Sequence, residues 1–241
     1  MAKRNAVLLG AMVLASVAAV PAACVSAGAV TPSTAAPSTA APSTQSLGSI
    51  QSEAAAAITA RVNDLNAAIG KVNADTKLGS GAPALVTYLQ KDIPGLQQLG
   101  QKIAGDSTAA DAKTDAATIF TDYRVLALVI PAARLAAASD QIESNAIPKL
   151  TAAATQAAGY ENSTNQATRA PLRADLNSQI ASATTSVSGV ATTVLGYSPA
   201  QWNANQKLLG TSKASVSSAQ SAVKKAVSDL QQIRTAVKAG T

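Results

Sequence analysis

The chain has 241 residues, 56 of them alanine, and its hydrophobic, aromatic and charged residues make up 47%, 2% and 13%. It contains no histidine and one cysteine. This excludes histidine-dependent catalytic relays, imidazole metal ligands, intramolecular disulfides and thiolate zinc clusters. The formal net charge is +6, so the charge balance favours anionic partners.

Residues 1–29 are predicted to be a secretory signal peptide. Lys3 and Arg4 form a positive n-region, residues 6–20 form an uncharged apolar run, and small residues follow. The apolar run is shorter than the roughly 20 residues that a membrane-spanning helix needs. We therefore expect a secreted or cell-surface protein that has no transmembrane helix in its mature form.

Two modes of signal cleavage fit the end of this segment. Ala27-Gly28-Ala29 and Val25-Ser26-Ala27 both match the small-x-small site of ordinary signal peptidase. Cys24, after Pro21-Ala22-Ala23, resembles the cysteine of a bacterial lipobox, although Pro21 replaces the usual aliphatic residue. The alternative to a soluble secreted product is therefore a protein that is lipid-anchored through Cys24.

Residues 30–47 are predicted to be a disordered linker. They contain a five-residue repeat, Pro-Ser-Thr-Ala-Ala, with no charge and no bulky apolar residue in the repeat. Such a segment cannot offset the entropy of ordering and stays extended. It acts either as a stalk or as a dispensable connection to the domain predicted over residues 48–241.

Helical periodicity begins near Ser49. In the first helix, apolar residues recur at spacings of four and three: Ile58, Val62, Leu65, Ile69 and Val72. A second helix is predicted after Gly79-Ser80-Gly81, with Pro83 in its first turn, a kink or break at Pro94-Gly95 and its end at Gly105.

The third predicted helix is the longest, because no glycine or turn cluster appears before Gly159. Thr108 and Asp111 have capping-box spacing at its start. Pro131 and Pro148 are expected to bend it.

Two more helices complete the chain. The fourth is predicted from Leu172 to Val194. The fifth begins at Ser198, where Gln201 completes a capping box, and it carries Trp202 and later a heptad seam.

These elements predict an all-α fold, an elongated antiparallel bundle of about five helices with a long kinked third helix. Alanine buries little area, so the core should be thin. Two packings are open. Either the third helix is shared between two three-helix packings, or a single four-helix bundle carries one appended helix.

The stretch Thr121-Asp122-Tyr123-Arg124-Val125 continues to Pro131 inside an alanine-rich helical protein with a signal peptide. In this it resembles a group of uncharacterised secreted actinobacterial proteins that carry a similar Asp-Tyr-Arg-Val…Pro stretch. The resemblance implies export and a helical fold, and it transfers no activity.

Carboxylates on the third helix are the first candidate site. Asp111, Asp115 and Asp122 have the residue type that holds a hard cation or performs acid–base chemistry. Alternatively, they complement the helix dipole beside nearby basic residues. Asp140 with Glu143 is a weaker pair, and six aromatic residues are too few for the cleft of a glycosidase.

Asp122 and Arg124 flank an apolar run that must be largely buried. We interpret them as a structural charge network that fixes the kinked helix, because buried charges need partners. The alternative is an anion site around Arg124 and Tyr123. Trp202 is either an exposed binding anchor or a wedge between the fourth and fifth helices.

The last helix is basic. Residues 207–241 carry a net charge of +5, whereas residues 46–165 carry −2. Such a helix can bind anionic envelope polymers or lipid headgroups, or it presents a solvated face. The candidate contact residues are Lys213, Lys224, Lys225, Arg234 and Lys238.

The predicted function is that of an exported, non-enzymatic structural or interaction protein of the bacterial cell envelope. No cofactor, metal site or nucleic-acid partner is expected, since aromatic platforms for bases are missing. Its partner would be an anionic polymer, lipid headgroups or another helical protein. The alternative is a carrier or sensor that binds an apolar small ligand within the bundle.

Overall fold

The computed structural model describes residues 45–159 and 166–239. The chain divides into two units, Met1–Ser43 and Thr44–Thr241, and every described residue belongs to the second. The predicted signal peptide, Cys24 and the linker repeat therefore lie outside the described residues. What is described is all-α and contains no strand, which confirms the predicted fold class.

Ten α-helices and two π-helical segments make up the described part of the chain. The π-helical segments are Val125–Val129 and Ile142–Ala146. The α-helices are α1 Leu47–Ala74, α2 Ala82–Gln90, α3 Ile93–Gly105, α4 Ala109–Thr121, α5 Ile130–Gln141, α6 Ile147–Ala158, α7 Gln166–Val187, α8 Val190–Leu195, α9 Pro199–Ala204 and α10 Gly210–Ala239.

Side-chain caps set several helix starts. Ser46 caps α1, and Thr108 caps α4 by accepting the Asp111 N–H at 3.1 Å. Ser198 and Gln201 form a complete capping box at α9. These caps satisfy amide groups that have no partner within the helix, and the two predicted at Thr108 and Ser198 are confirmed.

The second predicted helix is broken into α2 and α3. Lys91 and Asp92 interrupt it, and Pro94 lies in the first turn of α3, where its missing N–H costs nothing. The predicted break thus falls just before the proline. A side chain of α1 then closes α3: the Gln51 amide donates to the carbonyls of Ile103 and Ala104 at 3.1 and 3.3 Å.

The long third element is kinked as predicted, and the π-helical segments lie at its prolines. Each segment is followed by Ile-Pro, at Pro131 and Pro148. In an α-helix, a proline ring clashes with the carbonyl of the residue four positions earlier. At both prolines, that residue lies within a π-helical segment. A sharper interruption comes before the first of them, at residues 122–124, where Arg124 has φ 46° and ψ 34° in the left-handed region.

The fourth and fifth predicted helices are each divided in two, so the prediction of one continuous helix was wrong in both cases. The heptad seam predicted from Val216 onward lies entirely on α10 and is confirmed. Gly189, with φ 70°, separates α7 from α8, because this left-handed conformation ends the helical run. Residues 205–209 separate α9 from α10, so that Trp202 and the Val216 seam stand on different helices.

The buried side chains form two apolar clusters. The first joins α1 to α5 with α8 and the start of α10, and the second joins α6, α7 and α10. This confirms that the third element is shared by two packings, and the single four-helix bundle is not formed. Alanines occupy fully buried positions in both clusters, and among the described residues neither cluster contains a buried aromatic side chain.

Candidate functional site

The basic residues predicted to make contact all lie on α10 and are all exposed. Their partners on neighbouring helices are few. Within the described residues the ion pair present is Lys102–Asp115, and none of the α10 cations takes part in one. The cations without an ion pair among the described residues are Lys213, Lys224, Lys225, Arg234 and Lys238.

Four of these cations share one flank of the helix, which we call the basic row. With Val216 at heptad position a, Lys213 and Arg234 occupy position e, and Lys224 and Lys238 occupy position b. At ~1.5 Å per residue the basic row extends over about 37 Å. Lys225 occupies position c and faces a different side, so the predicted set is divided by the helix geometry.

Charge is distributed unevenly between the two packings. Residues 45–146 carry eight basic and ten acidic side chains, a net charge of −2. Helices α6, α7 and α10 carry eight basic and two acidic side chains, a net charge of +6. The packing of α6, α7 and α10 is therefore the cationic part of the described chain.

The acidic residues of α4 are engaged with protein groups. Asp111 accepts a hydrogen bond from the Thr108 hydroxyl at 2.7 Å, and Asp115 forms an ion pair with Lys102 of α3 at 2.7 Å. The Asp115 side chain is 13% exposed and that of Lys102 is 65% exposed. The basic residue that pairs with Asp115 is thus Lys102 from another helix, rather than a neighbour in sequence such as Lys113.

Asp106 joins this acidic group at the end of α3. Burial raises its pKa above the usual range, and the charge of Asp115 raises it further. Its Oδ2 atom has no hydrogen-bond partner. The described residues contain no group of three or more carboxylate, histidine or cysteine side chains arranged to hold a metal ion.

Asp122 and Arg124 do not pair with each other within the described structure. Asp122 is exposed and accepts a hydrogen bond from the adjacent Thr121 hydroxyl at 2.8 Å. Arg124 donates through Nε to Asn203 Oδ1 at 2.7 Å, and Asn203 donates to the Thr121 carbonyl at 3.0 Å. The network at the kink therefore connects Arg124 to α9, because the break turns the two charges apart.

Tyr123 lies in a negatively charged setting. A Cβ at Gly95 would lie 2.7 Å from its hydroxyl oxygen, so that glycine permits the close approach of α3. Burial raises the pKa of Tyr123, and the charges of Asp92 and Asp122 raise it further. Burial and then Asp92 raise the pKa of nearby Tyr88 to about 12. Neighbouring carboxylates disfavour an anion here.

Asp140 is a buried carboxylate with a structural partner that the sequence did not indicate. It is 8% exposed and accepts the Gly79 N–H at 2.6 Å and the Ser144 hydroxyl at 3.2 Å. A Cβ at Gly81 would lie 2.8 Å from its Oδ1 atom. The glycines of the loop between α1 and α2 therefore fit closely against this carboxylate. Burial raises the pKa of Glu143, and the charge of Asp140 raises it further.

Trp202 is half-buried and packs against the first apolar cluster. It is therefore not the exposed anchor that was one alternative, and the wedge between the fourth and fifth predicted helices stays a prediction. The helix of Trp202, α9, contacts α4.

Two depressions of the described part are open to solvent. The larger, about 470 Å³, is lined by residues of α7 and α10 that include Leu172, Gln232 and Thr235. The smaller, about 300 Å³, lies between α6 and α7 beside Thr155 and Asn177. Neither is the enclosed apolar cavity that a carrier of an apolar ligand requires.

One stretch of the described chain, Ala109–Ala158, is long and apolar enough to cross a membrane by length and composition. Its mean hydropathy reaches 1.4, and half of that window is buried inside the protein. Val125, Leu128 and Ala132 within it belong to the first apolar cluster. The interior of the bundle thus accounts for its apolar character.

No family model, no curated protein and no solved structure matches this chain.

Proposed function

We propose that this chain is an exported, non-enzymatic contact protein of the bacterial cell envelope, and that its basic row binds an anionic envelope component. The signal-like N terminus and the Pro-Ser-Thr-Ala-Ala repeat support export and a stalk. The observation that carries the proposal is the row of four exposed cations on one flank of α10, none of which forms an ion pair within the described residues.

The chemistry of the partner follows from what surrounds the row. The apolar seam of α10 is buried in the second cluster, so this helix has no free apolar face to insert into a bilayer. The attraction is therefore electrostatic and is screened by salt. Phosphate groups, on a wall polymer or on lipid headgroups, supply the complementary charge.

A charge-matched pair of variants tests the basic row. The row variant changes Lys213, Lys224, Arg234 and Lys238 to Gln. The control changes Lys71, Lys77, Lys91 and Lys113, which are exposed outside α10, to Gln and lowers the net charge equally. Binding is measured by sedimentation with phosphatidylglycerol vesicles and by titration with soluble polyphosphate, at low and high salt.

A cation near an anionic surface contributes about 1 kcal/mol, so we expect the row variant to bind at least about tenfold more weakly than the control. If the row variant loses binding to polyphosphate but not to vesicles, the partner is an anionic polymer. If it loses binding to vesicles but not to polyphosphate, the partner is a lipid headgroup. Equal binding of the row variant and the control would refute the proposal. Two single variants add a further comparison. Lys225→Gln should bind like the wild type, whereas Lys224→Gln should bind more weakly.

The carrier alternative gains no support from these two depressions, since both are open to solvent. The function proposed here therefore rests on surface contact.

A further inference from the structure

The connection between α8 and α10 is held on the surface. Val194 is fully buried and Leu209 is 9% exposed, and no residue between them is buried. Residues 195–208, which we call the strap, include the whole of α9. Its apolar packing is limited to the partly buried side chains of Leu195, Tyr197 and Trp202, which lie against the first cluster. A segment without a fully buried residue is held less firmly than the core.

The hydrogen bonds of the strap are mostly internal. The capping box of Ser198 and Gln201 and the bond from the Lys207 N–H to Asn205 Oδ1 at 3.0 Å both lie within it. The capping box belongs to a helix of six residues, which is too short to persist without packing and therefore opens together with the strap. These bonds do not tie the strap to the rest of the protein.

At its start the strap continues from α8 through the amides of Gly196 and Tyr197, which donate to α8 carbonyls. Asn203 provides the side-chain hydrogen bonds that cross from the strap to the first packing. Its Oδ1 accepts from Arg124 Nε at 2.7 Å, and its Nδ2 donates to the Thr121 carbonyl at 3.0 Å. That carbonyl is at the C-terminal end of α4, where the helix supplies no donor. Asn203 thus caps α4 from a distant part of the chain, and both bonds are exposed.

The break that Asn203 contacts has unusual features. Arg124 is the non-glycine residue with positive φ in the described chain. Two large apolar side chains near the break are exposed to solvent. Phe120 precedes the break and is 49% exposed, and Leu126 follows it and is 55% exposed. The strap therefore contacts the first packing at the left-handed residue between α4 and the first π-helical segment.

We propose that residues 195–208 open as a unit over the break that follows α4, with Asn203 as the latch and with Leu195, Tyr197 and Trp202 as its apolar contacts. Opening breaks the two Asn203 hydrogen bonds and removes Trp202 from the first cluster. It leaves the cores around α1 and α10 folded. Opening bares the end of α4 and the apolar surface that Trp202 covers.

The chain carries its own probe of this motion, because Trp202 is its single tryptophan. Asn203→Ala removes both crossing bonds. Gln206→Ala, an exposed side chain of the same strap with no hydrogen bond in the described structure, is the matched control. The readouts are Trp202 emission, its quenching by acrylamide, and hydrogen exchange of the strap amides.

We expect Asn203→Ala to shift the Trp202 emission to longer wavelength and to speed strap exchange by about tenfold, as two lost hydrogen bonds imply. The far-UV signal and the exchange of α7 and α10 should not change, and Gln206→Ala should match the wild type. Unchanged emission and exchange in a folded Asn203→Ala protein would overturn the proposal.

The wild-type protein provides a second test that does not depend on the variant. The Trp202 and Asn205 amides donate within the strap, to the Ser198 and Gln201 carbonyls. If the strap opens locally, their exchange rates in low urea should be nearly independent of urea concentration, unlike those of core amides. The same urea dependence for strap and core would show that the strap opens only with global unfolding, which contradicts the proposal.

Discussion

Asp140 and Asp229 are carboxylates withdrawn from solvent, and their surroundings differ. Asp140 accepts a backbone N–H and a hydroxyl, so its lone pairs have donors. Asp229 on α10 has an Oδ2 atom that is buried without any hydrogen-bond partner. Burial raises the pKa of Asp229, Asp175 of α7 raises it further, and Lys225 lowers it. Asp229 is therefore a site where the folded protein disfavours a charge.

We predict that Asp229→Asn stabilises the protein near neutral pH. Because the folded pKa of Asp229 lies above its unfolded value, its contribution to stability is fully present at low pH and is lost as pH rises through the folded pKa. Asparagine does not titrate, so the gain in Tm should be present at about pH 7 and should shrink below about pH 4. Thermal unfolding at both pH values measures it.

The control for this prediction is Asp64→Asn, an exposed position on α1. It should change Tm little at either pH, since surface substitutions usually have small effects. A lower Tm for Asp229→Asn at neutral pH would contradict the argument.

At the scale of helices, breaks decide where each element ends. Gly189 and Gly70 both have open space where a side chain would begin, with no atom within 4 Å of a built Cβ. They differ in backbone conformation: Gly189 has φ 70°, whereas Gly70 lies inside α1. The two glycines therefore isolate the conformational effect from packing.

We predict opposite effects of the same substitution at these two positions. Gly189→Ala should lower the free energy of unfolding by about 1 kcal/mol, because alanine is strained in the left-handed region. Gly70→Ala should raise it by roughly 0.5–1 kcal/mol, because glycine is a poor residue inside a helix. Urea denaturation of the two variants measures the difference, and a shift of the same sign in both would refute it.

The described molecule contains two apolar clusters, and several contacts cross between them. The third element passes from one to the other without a loop, through the second π-helical segment. The buried Ser139 hydroxyl donates to the Val187 carbonyl at 3.1 Å, which joins α5 to the end of α7. Helix α8 then packs on α5, so the chain returns to the first cluster before α10 begins.

We predict that the two clusters unfold together. Leu65 of the first and Leu176 of the second are both fully buried. Each change to Ala should cost about 2–5 kcal/mol and lower the Tm of the whole domain in one calorimetric transition. Two separate transitions, with only one moved by each variant, would show that the clusters are independent.

Much of the element level was predictable from local sequence. The caps at Thr108 and Ser198 need only neighbouring residues, and the bends at Pro131 and Pro148 follow from the proline ring. The Gly189 break was missed because valines on both sides continue the apolar spacing. The presence of a glycine in an apolar pattern does not reveal whether its φ angle is positive.

The sequence by itself determined the all-α class, the long third element and the cationic character of α10, because periodicity, caps and charge are local properties. Tertiary structure decided between the two packings that the sequence left open. Tertiary structure decided which groups meet: Lys102 with Asp115, and Asn203 with Arg124. It also separated the basic row from Lys225. These outcomes depend on how distant helices are placed, since a side chain's partner is set by packing rather than by its neighbours in sequence.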